Sequence, residues 1–229
     1  MRSAVSAIEQ AMRSVGSVPE LRFAVLGASS LEYAAVPTLK FELQIEAEGG
    51  LPIRSVLLDV QIQIAARQRG YDPAVQDRLL ELFGTPERWS TTLRTLPWLR
   101  TTLVVPPFTE RTTVDLLVPC TYDLEVTASR YFAALKDGVV PLELLFSGSV
   151  FFTAATGALQ TARIAWDNEV DYRLPVAVWR ETMDRHFRGS AWLRLGEESF
   201  DRLCTYKARH AFESWEATID ALLDSEGRS

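Results

Sequence analysis

Apolar and polar residues alternate with a two-residue period over much of this chain. Leu39, Phe41, Leu43, Ile45 and Ala47 fall on one parity, and Lys40, Glu42, Gln44 and Glu46 on the other. Side chains on a strand point alternately to opposite faces, so this stretch predicts a strand with one buried and one wetted side. The pattern resumes after Gly49-Gly50, with Leu58, Val60, Ile62 and Ile64 against Asp59, Gln61 and Gln63. Two such strands around a Gly-Gly loop predict an antiparallel hairpin over residues 39–64. Its register is strongly specified, because a one-residue slip would carry the whole apolar set into water. A further strict alternation, Leu142, Leu144, Phe146, Gly148, Val150 and Phe152, predicts a third long strand with Leu145 and Phe151 on its opposite face. Residues 159–166 read as its hairpin partner through Thr156-Gly157. Shorter strand signals lie at residues 21–26, followed by a turn at Gly27-Ala28-Ser29-Ser30 and extended chain over 31–36. Two more, at 99–105 and 114–118, are predicted to pair with each other around residues 108–111.

Helical spacing appears in two regions. Asp72 before Pro73 is a favoured helix start; Val75, Leu79 and Leu82 share a face, and Gly84 stops the turn. Thr85-Pro86-Glu87 opens a second short helix carrying Trp89. Residues 119–135 fit both periods and are read as strand to about Val126 and helix beyond. From Leu174 the chain reads as helical, with Pro175 in a first-turn position and Val176, Trp179, Met183 and Phe187 on one stripe. A link over 188–196 contains Trp192, Leu193 and Leu195. Phe200, Leu203 and Cys204 begin another helix, and Phe212, Trp215, Ile219 and Leu222 mark the last. Strands first and helices last predict an α+β fold: an antiparallel sheet, sandwich-like in one form, with helices inserted mid-chain and a C-terminal helical segment packed on it. The expected organisation is one domain over 1–229. An N-terminal arm or short helix spans 1–18, a β-rich body with a helical insertion near 72–93 spans 19–173, and C-terminal helices span 174–229.

Composition narrows the function classes. Hydrophobic residues make up 47% and charged residues 24% of 229, an ordinary globular balance that excludes a disordered or fibrous chain. The net charge of -6 argues against a protein that tracks nucleic-acid phosphates. Cys120 and Cys204 are far apart and suit reduced, buried thiols rather than a disulfide framework. No stretch approaches the ~20 apolar residues of a membrane helix, and residues 1–18 lack a signal-type apolar run. The expected location is the cytoplasm.

The search for chemistry finds little. His186 and His210 have neither an i, i+4 partner nor clustered cysteines, and read as surface or helix-end residues rather than zinc ligands. Phe146-Ser147-Gly148-Ser149 does not present a nucleophile elbow, and Gly27, Gly49-Gly50 and Gly148 do not form a phosphate loop. Asp167, Glu169 and Asp171 beside Trp166 offer alternating carboxylates. General acid–base work needs one of them perturbed by burial, and calcium needs a glycine-containing loop where Val170 stands. No cofactor and no metal is therefore expected. Aromatic and apolar residues outside the core pattern remain: Leu145, Phe151, Trp166 and Trp192 are the candidate partner-binding residues. The alternative is a pocket between the sheet and the C-terminal helices built on Trp166, Asp167 and Glu169, serving a ligand-binding domain or a hydrolase-type enzyme.

Two resemblances add direction. Leu174-Pro175, Arg180-Glu181, Arg188-Gly189, Leu193-Arg194-Leu195 and Phe200-Asp201-Arg202-Leu203 are similar, in that order, to the C-terminal end of the SecB export chaperones, and Gly148-Ser149-Val150-Phe151 resembles the end of a SecB strand. The spacing differs by one residue in two places, and residues 71–119 have no counterpart. This resemblance implies a SecB-like sheet as the other form of the expected fold. Residues 82–89 (LFGTPERW), 118–123 (VPCTYD) and 174–179 (LPVAVW) resemble an uncharacterised, chiefly actinobacterial family whose members tend to be encoded beside nickel–iron (NiFe) hydrogenase genes. That resemblance implies a context and no site residues. Together the readings make a non-catalytic accessory protein that binds another protein, chaperone-like or an assembly factor, with a hydrogenase subunit or maturation factor as the expected partner. Nucleic acid and membrane are not expected partners, and association with further copies of the chain is left open.

Overall fold

The computed structural model describes residues 18–120, 126–187 and 195–226. Contacts divide the chain into two compact units, residues 1–189 and 190–229.

The first unit holds eight described strands: β1 (Glu20–Ser30), β2 (Thr38–Glu48), β3 (Ile53–Ile64), β4 (Leu96–Val105), β5 (Arg111–Pro119), β6 (Val139–Thr153), β7 (Leu159–Arg163) and β8 (Glu169–Pro175). Its helices are α1 (Pro73–Arg78), α2 (Leu80–Phe83), α3 (Trp89–Thr92), α4 (Val126–Ala134) and α5 (Val176–His186). The strands form two antiparallel sheets. One has the order β1-β2-β5; the other has the order β4-β3-β6-β7, with β8 also pairing β6. β6 is long enough to pair β3 along one edge while its two halves take β8 and β7 in turn on the other.

The sheets lie face to face. Phe23 of β1 stacks on Phe146 of β6 with ring centroids 4.3 Å apart. Phe41 of β2 meets the Tyr172 ring of β8 edge-on at 5.8 Å. Leu39, Phe41, Leu43 and Ile45 from one sheet and Leu58, Val60, Ile62, Leu142, Leu144 and Phe146 from the other are buried in one common core. The parity read along each strand is thus the parity of the sandwich interior. The fold is α+β, a sandwich of two antiparallel sheets with helices.

Two predicted pairings are corrected. β2 and β3, expected to be hairpin partners, lie in different sheets: β2 pairs β1 and β5, and β3 pairs β4 and β6. Each carries a full apolar stripe, and stripes on two facing layers bury one another directly; side by side in one layer they would need a further layer to cover them. Gly49 and Gly50, both with positive φ (98° and 66°), turn the chain from one layer to the other. β4 and β5, expected to pair around residues 108–111, are separated for the same reason: Phe108 instead bridges to Ile53. Residues 27–30, read as a turn, continue β1 past a bulge between Val25 and Gly27, and most of the extended chain expected over 31–36 is an irregular connection. Residues 174–175, read as helix, complete β8, and α5 starts at Val176.

Other elements follow the local signals. Asp72 caps α1, its Oδ1 accepting from the Val75 amide at 2.9 Å with Pro73 in the first turn. This insertion between β3 and β4 is joined to α4 by the contacts of Phe83 and Tyr71 with Tyr131, and Tyr71 meets Trp89 edge-on within it. The Tyr71 hydroxyl lies 2.7 Å from both the Ala66 carbonyl and the Tyr131 hydroxyl. The carbonyl can only accept, so the Tyr71 proton goes there and Tyr131 donates to the Tyr71 oxygen. α5 packs on β1, β2 and β8, with Val176, Trp179 and Met183 buried along the predicted stripe. His186, at the end of α5, has its ring nitrogens 3.1 Å from the Thr182 and Ala34 carbonyls.

The second unit contains α6 (Glu197–Arg209) and α7 (Trp215–Glu226). Cys120 is buried, and Cys204 of α6 is half-buried. No helix among the described residues is long and apolar enough to cross a membrane.

Candidate protein-binding face

Register places the outward side chains of the second sheet in rows that run across its strands. Val104, Leu57, Ser149 and Arg163 form one row, and Ser55, Phe151 and Thr161 the next. Thr153 and Leu159 lie beyond them. On the other side come Thr102, Asp59 and Ser147, then Arg100, Gln61, Leu145 and Glu169. Cross-strand neighbours on one face are close enough to touch. Val104 and Leu57 are directly opposed, Leu57 is diagonal to Phe151, and Leu159 follows in the next row.

Exposure distinguishes these residues from core. Val104 is 69% exposed, Leu57 44% and Leu159 67%. Phe151 and Leu145 are half-buried. The polar residues between them are mostly uncharged, and Asp59 is already engaged by the Thr102 hydroxyl. Among the described residues no ion pair falls on this face. Among the described residues β4 stands at the edge of the sheet and pairs β3 alone, so Val104 borders a row of backbone groups outside the ladder.

The face depends on one glycine. Gly148 occupies an inward position of β6 opposite Leu58 with φ 135°, and a Cβ there would sit 2.1 Å from the Leu57 carbonyl oxygen. Only a residue without a Cβ lets β6 approach β3 this closely while Leu57 and Phe151 are held outward. The Gly148 carbonyl accepts from Ile164 at 3.1 Å, and the Phe146 amide donates to the Asn168 carbonyl at 2.9 Å. Residues 164–168 are therefore pinned at both ends to β6, and Trp166 in their midst is 91% exposed.

The sequence candidates distribute as follows. Leu145 and Phe151 share the outer face of β6, three rows apart, and Trp166 lies in the loop that joins β7 to β8 beside it. Trp192 lies outside the described residues. Asp167, Glu169 and Asp171 are all exposed. Burial, the feature that would set one carboxyl apart as an acid or base, is missing at these positions. Among the described residues no group of three or more His, Cys, Asp or Glu is placed to hold a metal ion. Leu57, Val104 and Leu159 were passed over in the sequence reading. Leu57 carried a signal, since it shares parity with Asp59 and Gln61 on the polar side of its strand. Val104 likewise shares parity with Arg100 and Thr102.

Burial also marks the tyrosine pair of the helical insertion. Desolvation, then the neighbouring Tyr131 and its hydrogen bond, push the Tyr71 phenol far above its ordinary range against the opposing charge of Arg69. Desolvation likewise raises Tyr131, opposed by its bond to Tyr71 and by Arg69. Both are satisfied by neighbours, and the pair ties the insertion to α4.

Fold and face together define an α+β sandwich protein with a partly apolar outer sheet surface that, among the described residues, carries no ion pair. The chain belongs to a family of unknown function, DUF6084, whose model matches residues 18–229. No curated protein matches it. Similar solved structures include β-glucosidase 3B from Thermotoga neapolitana in complex with α-D-glucose, at 14% identity and a TM-score of 0.27 over 69% of this chain and 17% of that one. The chain thus spans about a sixth of that enzyme's length. Others are a protein assigned to the late embryogenesis abundant proteins, at 10% identity and TM-score 0.33 over 76% and 87% of the two chains, and one assigned as ApaA from Bordetella pertussis, at 13% identity and TM-score 0.24 over 69% and 95%. Scores this low transfer neither fold nor function.

Proposed function

We propose that the protein is a non-catalytic accessory protein that binds another protein through the outer face of its second sheet, as a chaperone-like holder or an assembly factor. One observation carries the reading: Leu57, Val104, Phe151 and Leu159 gather on a solvated face without ion pairs. Complete burial of a Leu, Val or Phe side chain contributes about 1.5–3 kcal/mol, so a partner that covers part of these four gains enough to rank them as anchors. The edge strand β4 offers a second mode of attachment, since an extended segment of a partner can hydrogen-bond to it while its side chains meet Val104 and Leu57. The competing pocket on Trp166, Asp167 and Glu169 needs a carboxylate withdrawn from water, and all of these side chains are exposed.

The partner proposed is a subunit precursor or maturation factor of a nickel–iron hydrogenase. Its support is the resemblance of residues 82–89, 118–123 and 174–179 to a family encoded beside such genes. The test is affinity capture from native cells making hydrogenase, using the unaltered chain and Val104→Asp in parallel. Retention of a hydrogenase precursor or maturation factor in near-equal amount, lost with Val104→Asp, is the expected result. Equal retention by both chains would remove the sheet face from the reading, and no retention from cells shown to contain the hydrogenase would remove the partner.

A further inference from the structure

The second unit presents a different surface. α6 and α7 are joined by a tight turn in which the Phe212 amide donates to the Lys207 carbonyl at 3.2 Å and Ala211 to Ala208 at 3.3 Å. Ala211 supplies the left-handed conformation, with φ 53°, that such a helix end requires. Ser214 caps α7, its Oγ accepting from Ala217 at 3.0 Å. Phe200 packs on Trp215 at 5.7 Å and the Lys207 ammonium lies 5.6 Å from the centre of the same indole ring. The two helices are thus locally well specified.

They nonetheless lack a core. Among the described residues of this unit, Thr218 alone is buried, and no apolar side chain is. Trp215, Ile219, Leu222 and Leu223 recur at helical spacing along α7, and all are exposed, Leu223 to 61%. Two helices of 13 and 12 residues are marginal in water without an apolar face to bury. Charge says what suits that face. α7 carries Glu216, Asp220 and Asp224 beside its apolar stripe and no basic residue, while the basic residues of α6, Arg202, Lys207 and Arg209, are offset by Glu197, Glu198 and Asp201. A second copy would bring carboxylates against carboxylates; a cationic segment would not.

We propose that the α6–α7 hairpin is a docking unit for a basic amphipathic helix of another protein, whose apolar side chains cover Trp215, Ile219, Leu222 and Leu223 while its lysines or arginines meet Glu216, Asp220 and Asp224. This is helix-in-groove recognition with a charge filter. It is independent of the sheet face.

The test titrates the full chain into a fluorescein-labelled Leu/Lys model helix and follows anisotropy. A Leu/Glu helix of the same period and a Leu/Lys peptide of permuted order serve as controls. The expected result is saturable binding of the Leu/Lys helix alone, weakened by added salt. Leu223→Asp should weaken it tenfold or more, and Glu216→Gln/Asp220→Asn/Asp224→Asn should flatten the salt dependence with the apolar stripe intact. Phe151→Asp should leave it unchanged, which separates this site from the sheet face. Absence of binding overturns the proposal, as does equal binding of either control peptide. A concentration-dependent dimer by sedimentation that Leu223→Asp dissolves would also overturn it, by assigning the face to a second copy.

Discussion

The two sheets of the sandwich are both antiparallel, and each buries one face in the same core, yet their outer faces differ in how their charges are paired. On the first sheet, where Leu26 and Leu117 are also exposed, outward residues of neighbouring strands form ion pairs: Arg22 pairs Glu48 at 2.8 Å, Arg111 pairs Glu46 at 2.7 Å, and Lys40 approaches Asp115 at 3.6 Å. Gln44 adds a 2.8 Å hydrogen bond to Glu46. On the second sheet the outward positions hold Leu57, Val104, Phe151 and Leu159 among Ser, Thr and the charged residues Asp59, Arg100, Arg163 and Glu169, none of them in an ion pair among the described residues. Exposed pairs add little stability. What charged pairs do is keep a flat sheet face hydrated and unattractive to another protein. The first sheet sets its exposed apolar residues among ion pairs, and the second groups more of them without any.

The strongest way to break this comparison is at Gly148. A valine there meets the Leu57 carbonyl and must also hold a positive φ, so the β3–β6 ladder has to open. The expected loss is about 3 kcal/mol or more, read as a fall in the urea midpoint. An unchanged midpoint would mean that the close approach is not needed.

Next in size is Tyr71→Phe, which leaves the buried Tyr131 hydroxyl without its acceptor and the Ala66 carbonyl with the longer 3.4 Å bond from the Arg69 amide, at a cost of about 1–3 kcal/mol. It also carries a pH signature. A phenol raised in the folded state contributes stability that is complete below the unfolded value of about 10 and is lost as pH rises from there toward the folded value. The unaltered chain should therefore lose stability above about pH 10, and Tyr71→Phe should lose less over the same range. Equal alkaline slopes would count against the buried pair.

A sharper version of the comparison transfers the chemistry of one face to the other. Leu57→Lys with Val104→Glu installs a cross-strand ion pair on the second sheet. Binding of the captured partner should fall at least tenfold, about 1.4 kcal/mol, while the thermal midpoint moves by no more than a few degrees. Loss of the fold itself would show that these side chains serve the sandwich. The smallest effect belongs to the first sheet: Arg111→Ala should cost less than about 1 kcal/mol, and this difference should shrink further in high salt.

Legibility followed the range of the physics involved. The buried parity of β2, β3 and β6, the Asp72-Pro73 helix start, the stop at Gly84 and the stripe Val176, Trp179, Met183 were all readable, because each rests on side chains within a few residues of one another. Of the candidate face, Leu145 and Phe151 were readable as apolar residues on a polar parity. Leu57 and Val104 gained meaning only when register put them opposite each other, 47 positions apart in the chain.

By itself, the sequence determined that β2, β3 and β6 are strands, which side of each avoids water, and that a helix starts after Asp72; it misplaced the end of β1 and the boundary between β8 and α5. Parity is a property of one strand and cannot name its neighbour, so only the tertiary structure decided that β2 and β3 face each other across the core instead of pairing. The same decision created two outer faces, one ion-paired and one partly apolar. Which outward side chains become a surface for a partner depends on strand order and register, and these are settled by how distant stripes bury one another.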